Sequence, residues 1–258
     1  MKNLLREKLN QGQYVVGPFM KLSSPAVVEI MGLAGFDYVI IDCEHGPLNM
    51  LQAEEMVRAA ELAGMSSVIR VANKDPVMIS RALDIGANIV QVPQICNRQD
   101  AEDVVRAAKF APLGERGVCR YVRAAKYTAI DKHQYFREAN QETMVVIHIE
   151  GIEGISNIDE ILSVKGLDVI FLGPYDLSQS LGVHGEVEHF KVIEMMHEVT
   201  KKAKNKNIAV GTFVDNTRMA EKWIQLGIQY ISYSVDVGMI YEKCLDVVTE
   251  IKKISSNA

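Results

Sequence analysis

Four times in this chain a glycine stands between a helical pattern and a strand pattern: Gly35-Phe36-Asp37, Gly86-Ala87-Asn88, Gly166-Leu167-Asp168 and Gly227-Ile228-Gln229. A glycine just past a helix end adopts the left-handed conformation that turns the chain back toward a sheet. Its recurrence indicates one module used repeatedly. Short apolar, β-branched runs at 14–19, 38–42, 67–71, 89–92, 144–149, 169–172, 208–213 and 230–233 supply the strands of that module. Amphipathic stretches at 25–34, 51–63, 76–85, 100–110, 158–163, 188–204, 217–226 and 238–251 supply its helices. Such alternation implies parallel strands joined by right-handed crossovers. Eight units in 258 residues match an α/β fold of the (β/α)₈ type, one TIM barrel domain over residues 1–258. A doubly wound sheet is the main rival. No GxGxxG follows the first strand, which weakens a dinucleotide-binding version of it.

Composition narrows the function. A hydrophobic fraction of 48% with 24% charged residues suits a globular protein with a sizeable core. The net charge of −5 argues against a nucleic-acid partner. The four cysteines, Cys43, Cys96, Cys119 and Cys244, follow no metal or redox spacing and read as free thiols of a reducing compartment. The amino-terminal segment lacks the continuous apolar stretch of a signal or anchor, and no segment has the ~18 uninterrupted apolar residues of a membrane span. The expectation is a cytoplasmic protein with no membrane partner.

Chemistry concentrates where strands end. Asp42, Glu44 and His45 follow the second strand pattern, Arg70 falls within the end of the third, Glu150 follows the fifth and Asp176 follows the sixth. In an α/β barrel these positions share the carboxyl-terminal rim, where reactive groups gather. Glu150 and Asp176 are the candidate metal ligands. Oxygen donors without cysteine or a paired-histidine motif select a hard divalent ion such as Mg²⁺ or Mn²⁺. A lone acid here would more often cap a helix; two on successive rims favour the metal. Gly173 and Pro174 form a turn whose neighbouring amides can hold a carboxylate, although a plain strand-to-helix turn has the same sequence.

Arg70 can fork onto a substrate carboxylate and stabilise an oxyanion, or pair with Asp42 or Glu44. His45 is a candidate general base, with Asp84 as the acid that would fix its tautomer. His148 shares a strand face with Glu150, while His133, His184, His189 and His197 read as surface positions. Lys21 ends the first strand pattern. It offers a rival Schiff-base mechanism, or more simply a contact with an acidic tail or solvent. The stretch 111–132 breaks the rhythm and is long enough to be functional. Its Arg120 and Arg123 could meet an anionic tail, though solvated arginines are commoner.

Together these residues resemble the HpcH/HpaI family of metal-dependent pyruvate aldolases over almost the whole chain. The resemblance rests on Gly35-Phe36-Asp37-Tyr38, Ile41-Asp42-Cys43-Glu44-His45, Ile69-Arg70, Asp75-Pro76, Val92-Pro93, Gly114-Glu115-Arg116-Gly117-Val118, Ile149-Glu150 and Gly173-Pro174-Tyr175-Asp176-Leu177-Ser178. It implies a class II aldolase that reversibly cleaves a 4-hydroxy-2-oxo acid to pyruvate and an aldehyde. It further implies Mg²⁺, Mn²⁺ or Co²⁺ on Glu150 and Asp176, Arg70 on the oxo-acid, and His45 with Asp84 handling protons. His148, Gly173, Pro174 and Tyr175 would line the substrate site, with Asp42 and Glu44 in support. The resemblance also implies a homohexamer with the last helix exchanged between neighbours. The sequence departs from the family pattern with His148 where glutamine is common, Tyr175 for a small residue, Lys21 for glycine and Phe213 for leucine. These changes bear on the aldehyde side of the pocket. The alternatives are a lyase or decarboxylase acting on a larger oxo-acid or acyl-CoA through the same enolate, and a non-catalytic oxo-acid-binding barrel.

Overall fold

The computed structural model describes residues 3–256. Eight parallel strands pair in sequence order and close on themselves: β1 (Val15–Met20), β2 (Tyr38–Asp42), β3 (Ser66–Arg70), β4 (Ile89–Val92), β5 (Met144–Ile149), β6 (Val169–Leu172), β7 (Ala209–Val214) and β8 (Tyr230–Val235). The architecture is the expected (β/α)₈ barrel. All four junction glycines take the left-handed conformation, with φ of +96° at Gly35, +103° at Gly86, +95° at Gly166 and +91° at Gly227. At the other rim, side chains of Ser24, Asn49, Asp75, Asn97 and Asn216 each accept a backbone N–H of the helix they open. The first-turn donors of these helices are thereby partly satisfied without closing the mouth of the barrel.

Strand alternation sorts the core into two shells. Val39, Ile41, Ile69, Val90, Val145, Ile147 and Ile170 face outward, in the layer beneath the helices. Tyr38, Ile40, Val68, Ile89, Met144, Val146, Val169 and Tyr230 form the barrel interior. Continuing the same parity along the strands brings Asp42, Arg70, Gln91 and His148 onto the inner face near the carboxyl-terminal mouth. The register sets Asp42 directly beside Arg70.

The centre is filled by the stacked rings of Tyr38 and Tyr230, with centroids 4.3 Å apart. Glycine makes room for them. A Cβ on Gly17 would lie 2.2 Å from the Tyr38 carbonyl oxygen, and one on Gly211 would lie 2.7 Å from the Tyr230 ring. The base is stoppered by a helix, Leu4–Asn10, whose Leu5 and Leu9 join the interior cluster. Burying each leucine contributes roughly 1.5–3 kcal/mol before entropy is counted.

The stretch 111–132 is structured differently from the expectation of a loop over the site. It runs through a 3₁₀ segment, Arg123–Thr128, into an amphipathic helix, Lys132–Glu142. Arg116 is inserted beneath it, 4.6 Å from the Phe110 ring centroid and 2.6 Å from Asp84 Oδ1. Arg123 pairs with Glu61 and donates to the Ile85 carbonyl at 3.3 Å. These partners lie where helix Pro76–Asp84 ends and β4 begins, so the segment packs near the amino-terminal rim. The last helix, Asp236–Ser256, leaves Ile240, Tyr241, Leu245, Val248 and Ile251 exposed. Among the described residues, no helix is long and apolar enough to cross a membrane.

Candidate active site

A cavity of about 430 Å³ opens at the carboxyl-terminal mouth, and Lys21, Glu44, His45, Arg70, His148, Glu150 and Asp176 all face it. A second cavity of about 440 Å³ lies at the opposite end beneath the 111–132 segment. Of the carboxylate and imidazole groups singled out above, Glu44, His45, His148, Glu150 and Asp176 converge on the first, which makes it the candidate site.

Arg70 is the anchor. It is 8% exposed, and its Nε and Nη2 donate to Asp42 Oδ1 and Oδ2 at 2.9 and 2.7 Å, a two-pronged fork. Its Nη1 lies 3.0 Å from Glu44 Oε2, and its guanidinium sits 4.7 Å above the Phe19 ring. The Glu44 oxygen accepts no hydrogen bond, so that contact is Coulombic rather than directional. Asp42 is fully buried. Burial alone would raise its carboxyl, but the Arg70 fork, the His45 amide and Lys21 together hold it below the usual carboxylate range. The ion pair and a substrate-facing arginine are therefore compatible, because the pairing fixes the guanidinium at the cavity wall.

Glu150 and Asp176 occupy the other side. Glu150 Oε1 accepts from His148 Nδ1 at 2.9 Å, and Oε2 accepts from the Gln94 backbone N–H at 3.3 Å. Burial pushes the Glu150 carboxyl up, but the hydrogen bond and charge of His148, the Gln94 amide and the charge of Arg70 together outweigh it, and the net shift is downward. Asp176 moves the other way, raised by burial and by the charge of Glu150. It makes no hydrogen bond or ion pair with another side chain among the described residues. Gly173 accommodates it, since a Cβ there would approach Asp176 Oδ2 to 2.9 Å. Two carboxylates that repel each other, one of them unpartnered, fit a hard divalent cation with open positions for water and substrate. Among the described residues, no group of three or more His, Cys, Asp or Glu side chains is arranged to hold a metal. The pair would thus supply only part of a coordination sphere, as is usual for Mg²⁺.

His148 is buried and stacked on Phe171, with centroids 4.5 Å apart. Desolvation lowers its pKa, against the opposing pull of Glu150, which favours neutral imidazole. Its second nitrogen meets the Gln91 side-chain amide. Tyr175 half-covers the mouth, donating its hydroxyl to Asp215 Oδ2 at 2.8 Å and lying beside Phe213. Lys21 Nζ donates to the His45 carbonyl at 3.2 Å and lies 3.3 Å from Asp42 Oδ2.

One expected pairing is absent within the chain. His45 is exposed at the cavity edge, with Glu44 as its nearest acid at 3.8 Å. Asp84 ends helix Pro76–Asp84 near the opposite rim and is engaged by Arg116. A His45–Asp84 dyad is therefore not formed within one chain, because a helix that descends from the site carries its last residue away from it. Arg120 and Arg123 likewise do not line the cavity. Sequence reasoning missed Gln91, Phe19 and Gln94. Gln91 carried a readable signal, as the polar member of the otherwise apolar run Ile89-Val90-Gln91-Val92.

A closed (β/α)₈ barrel with paired acids, a forked arginine and a histidine around its carboxyl-terminal mouth defines a class of barrel enzymes that gather their reactive groups at that rim. Comparison with known proteins sharpens this: residues 16–242 match the HpcH/HpaI aldolase/citrate lyase family, and the chain belongs to it. It is 31% identical over 241 residues to 4-hydroxy-2-oxo-heptane-1,7-dioate aldolase of Escherichia coli, covering 93% of this chain and 91% of that protein. A solved HpcH/HpaI family protein from Burkholderia cenocepacia J2315 superimposes with a TM-score of 0.91 at 31% identity, over 97% of this chain and 100% of the other. The HpcH/HpaI aldolase of Desulfitobacterium hafniense DCB-2 does so with a TM-score of 0.89 at 34% identity, over 96% of each chain.

Proposed function

We propose that this protein is a divalent-metal-dependent aldolase that reversibly cleaves a 4-hydroxy-2-oxo acid to pyruvate and an aldehyde. The observation that carries the reading is the opposition, across one cavity, of the Glu150–Asp176 pair and a buried arginine held by Asp42. Glu150 and Asp176 would hold a Mg²⁺, Mn²⁺ or Co²⁺ ion, which would supply Lewis-acid charge to the oxo-acid. Arg70 presents a fixed positive edge to the developing oxyanion and costs no reorganisation, because Asp42 already orients it. Gly173 and Pro174 shape the floor beside Asp176, where the substrate carboxylate lies. His45 takes the C4 hydroxyl proton during cleavage and a methyl proton of pyruvate during addition. Lys21 is engaged by Asp42 and the His45 carbonyl, which supports a role as a cationic contact rather than as a Schiff-base nucleophile.

Tyr175 and Phe213 crowd the aldehyde side and support a preference among aldehydes set by this wall. The exposed apolar face of helix Asp236–Ser256 supports assembly into a homo-oligomer, a hexamer by resemblance to the family. Four unpaired cysteines support a cytoplasmic setting. The test is a panel of aldehydes with pyruvate and Mn²⁺ or Mg²⁺, reading the new C–C bond by mass spectrometry. Product that disappears with EDTA and returns with metal is expected. Activity that survives thorough chelation, together with inactivation by borohydride plus pyruvate, would move the chemistry to Lys21. Carbon dioxide release without aldehyde chemistry would favour a decarboxylase.

A further inference from the structure

We infer that Gln91 is a positioning residue: with Glu150 it fixes the tautomer of His148, and through it the oxygen of Glu150 that is left the less engaged for a cation. Hydrogen valence sets the direction of each bond. Tyr38 spends its single hydroxyl proton on the Ile231 carbonyl at 2.8 Å, with Ser232 Oγ beside it at 3.1 Å. The Tyr230 hydroxyl donates to Gln91 Oε1 at 3.3 Å. That contact turns the Gln91 amide nitrogen toward His148 Nε2. An amide nitrogen only donates, so Nε2 carries a lone pair and not a proton. An ionised carboxylate only accepts, so Nδ1, 2.9 Å from Glu150 Oε1, carries the proton. The donors thus all run one way, from Tyr230 through Gln91 and His148 to Glu150.

Every member of this chain but Glu150 is buried, and the imidazole is clamped flat against Phe171. The ring cannot swing to find another partner, so the Gln91 donor on one side and the Glu150 acceptor on the other together decide which nitrogen holds the proton. With Oε1 occupied by Nδ1–H, Oε2 accepts only the longer bond from the Gln94 amide at 3.3 Å and keeps a lone pair for a cation. A carboxyl–imidazole arrangement that orients a ligand from behind is a recurrent device at metal sites. Here the imidazole stands behind the carboxylate, and a buried glutamine stands behind the imidazole.

The inference rests on Glu150 being a metal ligand, and the experiment separates the two. Ring-¹⁵N-histidine-labelled intact protein, free of metal, is measured by magic-angle-spinning NMR, with His148 assigned by its loss in His148→Asn. Wild type should show Nδ1 protonated and Nε2 bare. Gln91→Leu removes the donor at similar volume and should give a mixed tautomer, because Glu150 alone then favours the proton on Nδ1. Mn²⁺ titration of the same samples should show affinity falling roughly 10- to 100-fold, the range for such supporting partners. Tyr230→Phe, which removes only the hydroxyl, provides a second variant and should shift the tautomer in the same direction by less. Protonation of Nε2 in wild type, or an unchanged tautomer or Mn²⁺ affinity in both variants, overturns the role of Gln91. Mn²⁺ binding indifferent to Glu150→Gln overturns the ligand reading instead, and leaves the tautomer result to be judged separately.

Discussion

Both mouths of this barrel carry charged side chains and use them in opposite ways. At the amino-terminal mouth, Arg6 donates to the Thr143 carbonyl at 2.7 Å and lies 3.0 Å from Asp168. Asp168 in turn accepts the Val145 amide at 2.8 Å, and Asp37 accepts the Val16 amide at the same distance. There the acids close the starts of strands, and the bases close the acids, with the Leu4–Asn10 helix as a stopper. At the carboxyl-terminal mouth, Asp42 is closed in this way, and Asp236 by the amides of Lys21 and Leu22, but the acids that face the cavity are not. Glu150 has one oxygen fixed from behind, Asp176 has no side-chain partner among the described residues, and Arg70 turns an edge to an open cavity. The same residue types stabilise where their valences are filled and become available for chemistry where they are not.

Variants that strike one mouth should therefore separate activity from stability, and the largest effect is expected where the two meet. Arg70→Ala should lower kcat by about 10²–10³, the range for one lost oxyanion partner. It should also cost about 3–5 kcal/mol in urea unfolding, because it strands the buried Asp42 carboxylate. A loss of activity with no loss of stability would break the view of Arg70 as shared between both tasks. Leu5→Ala, at the stopper, should cost about 2–5 kcal/mol by leaving a cavity. Its kcat/KM should stay near wild type below the melting transition, and a parallel fall would show that the mouths are coupled. Asp176→Asn should do the reverse. Mn²⁺ affinity should fall at least about tenfold, while stability holds or rises slightly, since the substitution relieves repulsion with Glu150. Calorimetry and thermal unfolding on one sample check both halves.

The two mouths also differed in how far they could be read from sequence. Strands 38–42, 89–92, 144–149 and 169–172 are found at those bounds, because fully buried β-branched runs flanked by turn residues leave little freedom. The third strand ends at Arg70, so the arginine is its last residue. Position at a strand end was enough to gather Asp42, Glu44, His45, Arg70, Glu150 and Asp176 around one cavity, since the barrel converts register into proximity. Asp84 and Arg123 fell outside because they belong to a helix end and a loop, whose placement depends on tertiary packing. The helix Lys132–Glu142 was missed for a related reason: it is polar along most of its length, and only Tyr135 is buried. Gln91 was visible as an oddity in its strand, but its partner lies on the next strand and only the pairing of Gln91 with Val146, two residues before His148, reveals it.

The gentlest probe of the contrast is a lysine at the amino-terminal mouth. Lys109 is buried, and its Nζ donates to the carbonyls of Asn140 and Thr143 at 2.9 and 2.5 Å. Burial lowers its pKa to about 8, although Asp168 pulls it upward. In the unfolded chain a lysine titrates near ~10.4. Below about pH 8 both states hold the proton and this residue adds no slope. Between that pH and ~10.4 the unfolded chain binds more protons than the folded one, so stability should rise with pH, by up to about 1.4 kcal/mol per unit. Lys109→Met lacks the titration, and the Thr143 carbonyl keeps its bond from Arg6. The difference in unfolding free energy between wild type and Lys109→Met, measured from pH 7 to 10, should therefore be level at first and then grow in favour of wild type. A difference that stays level throughout would mean that the lysine is as well solvated in the fold as outside it. The amino-terminal mouth would then owe its closure to its apolar stopper and its acid–amide pairs alone.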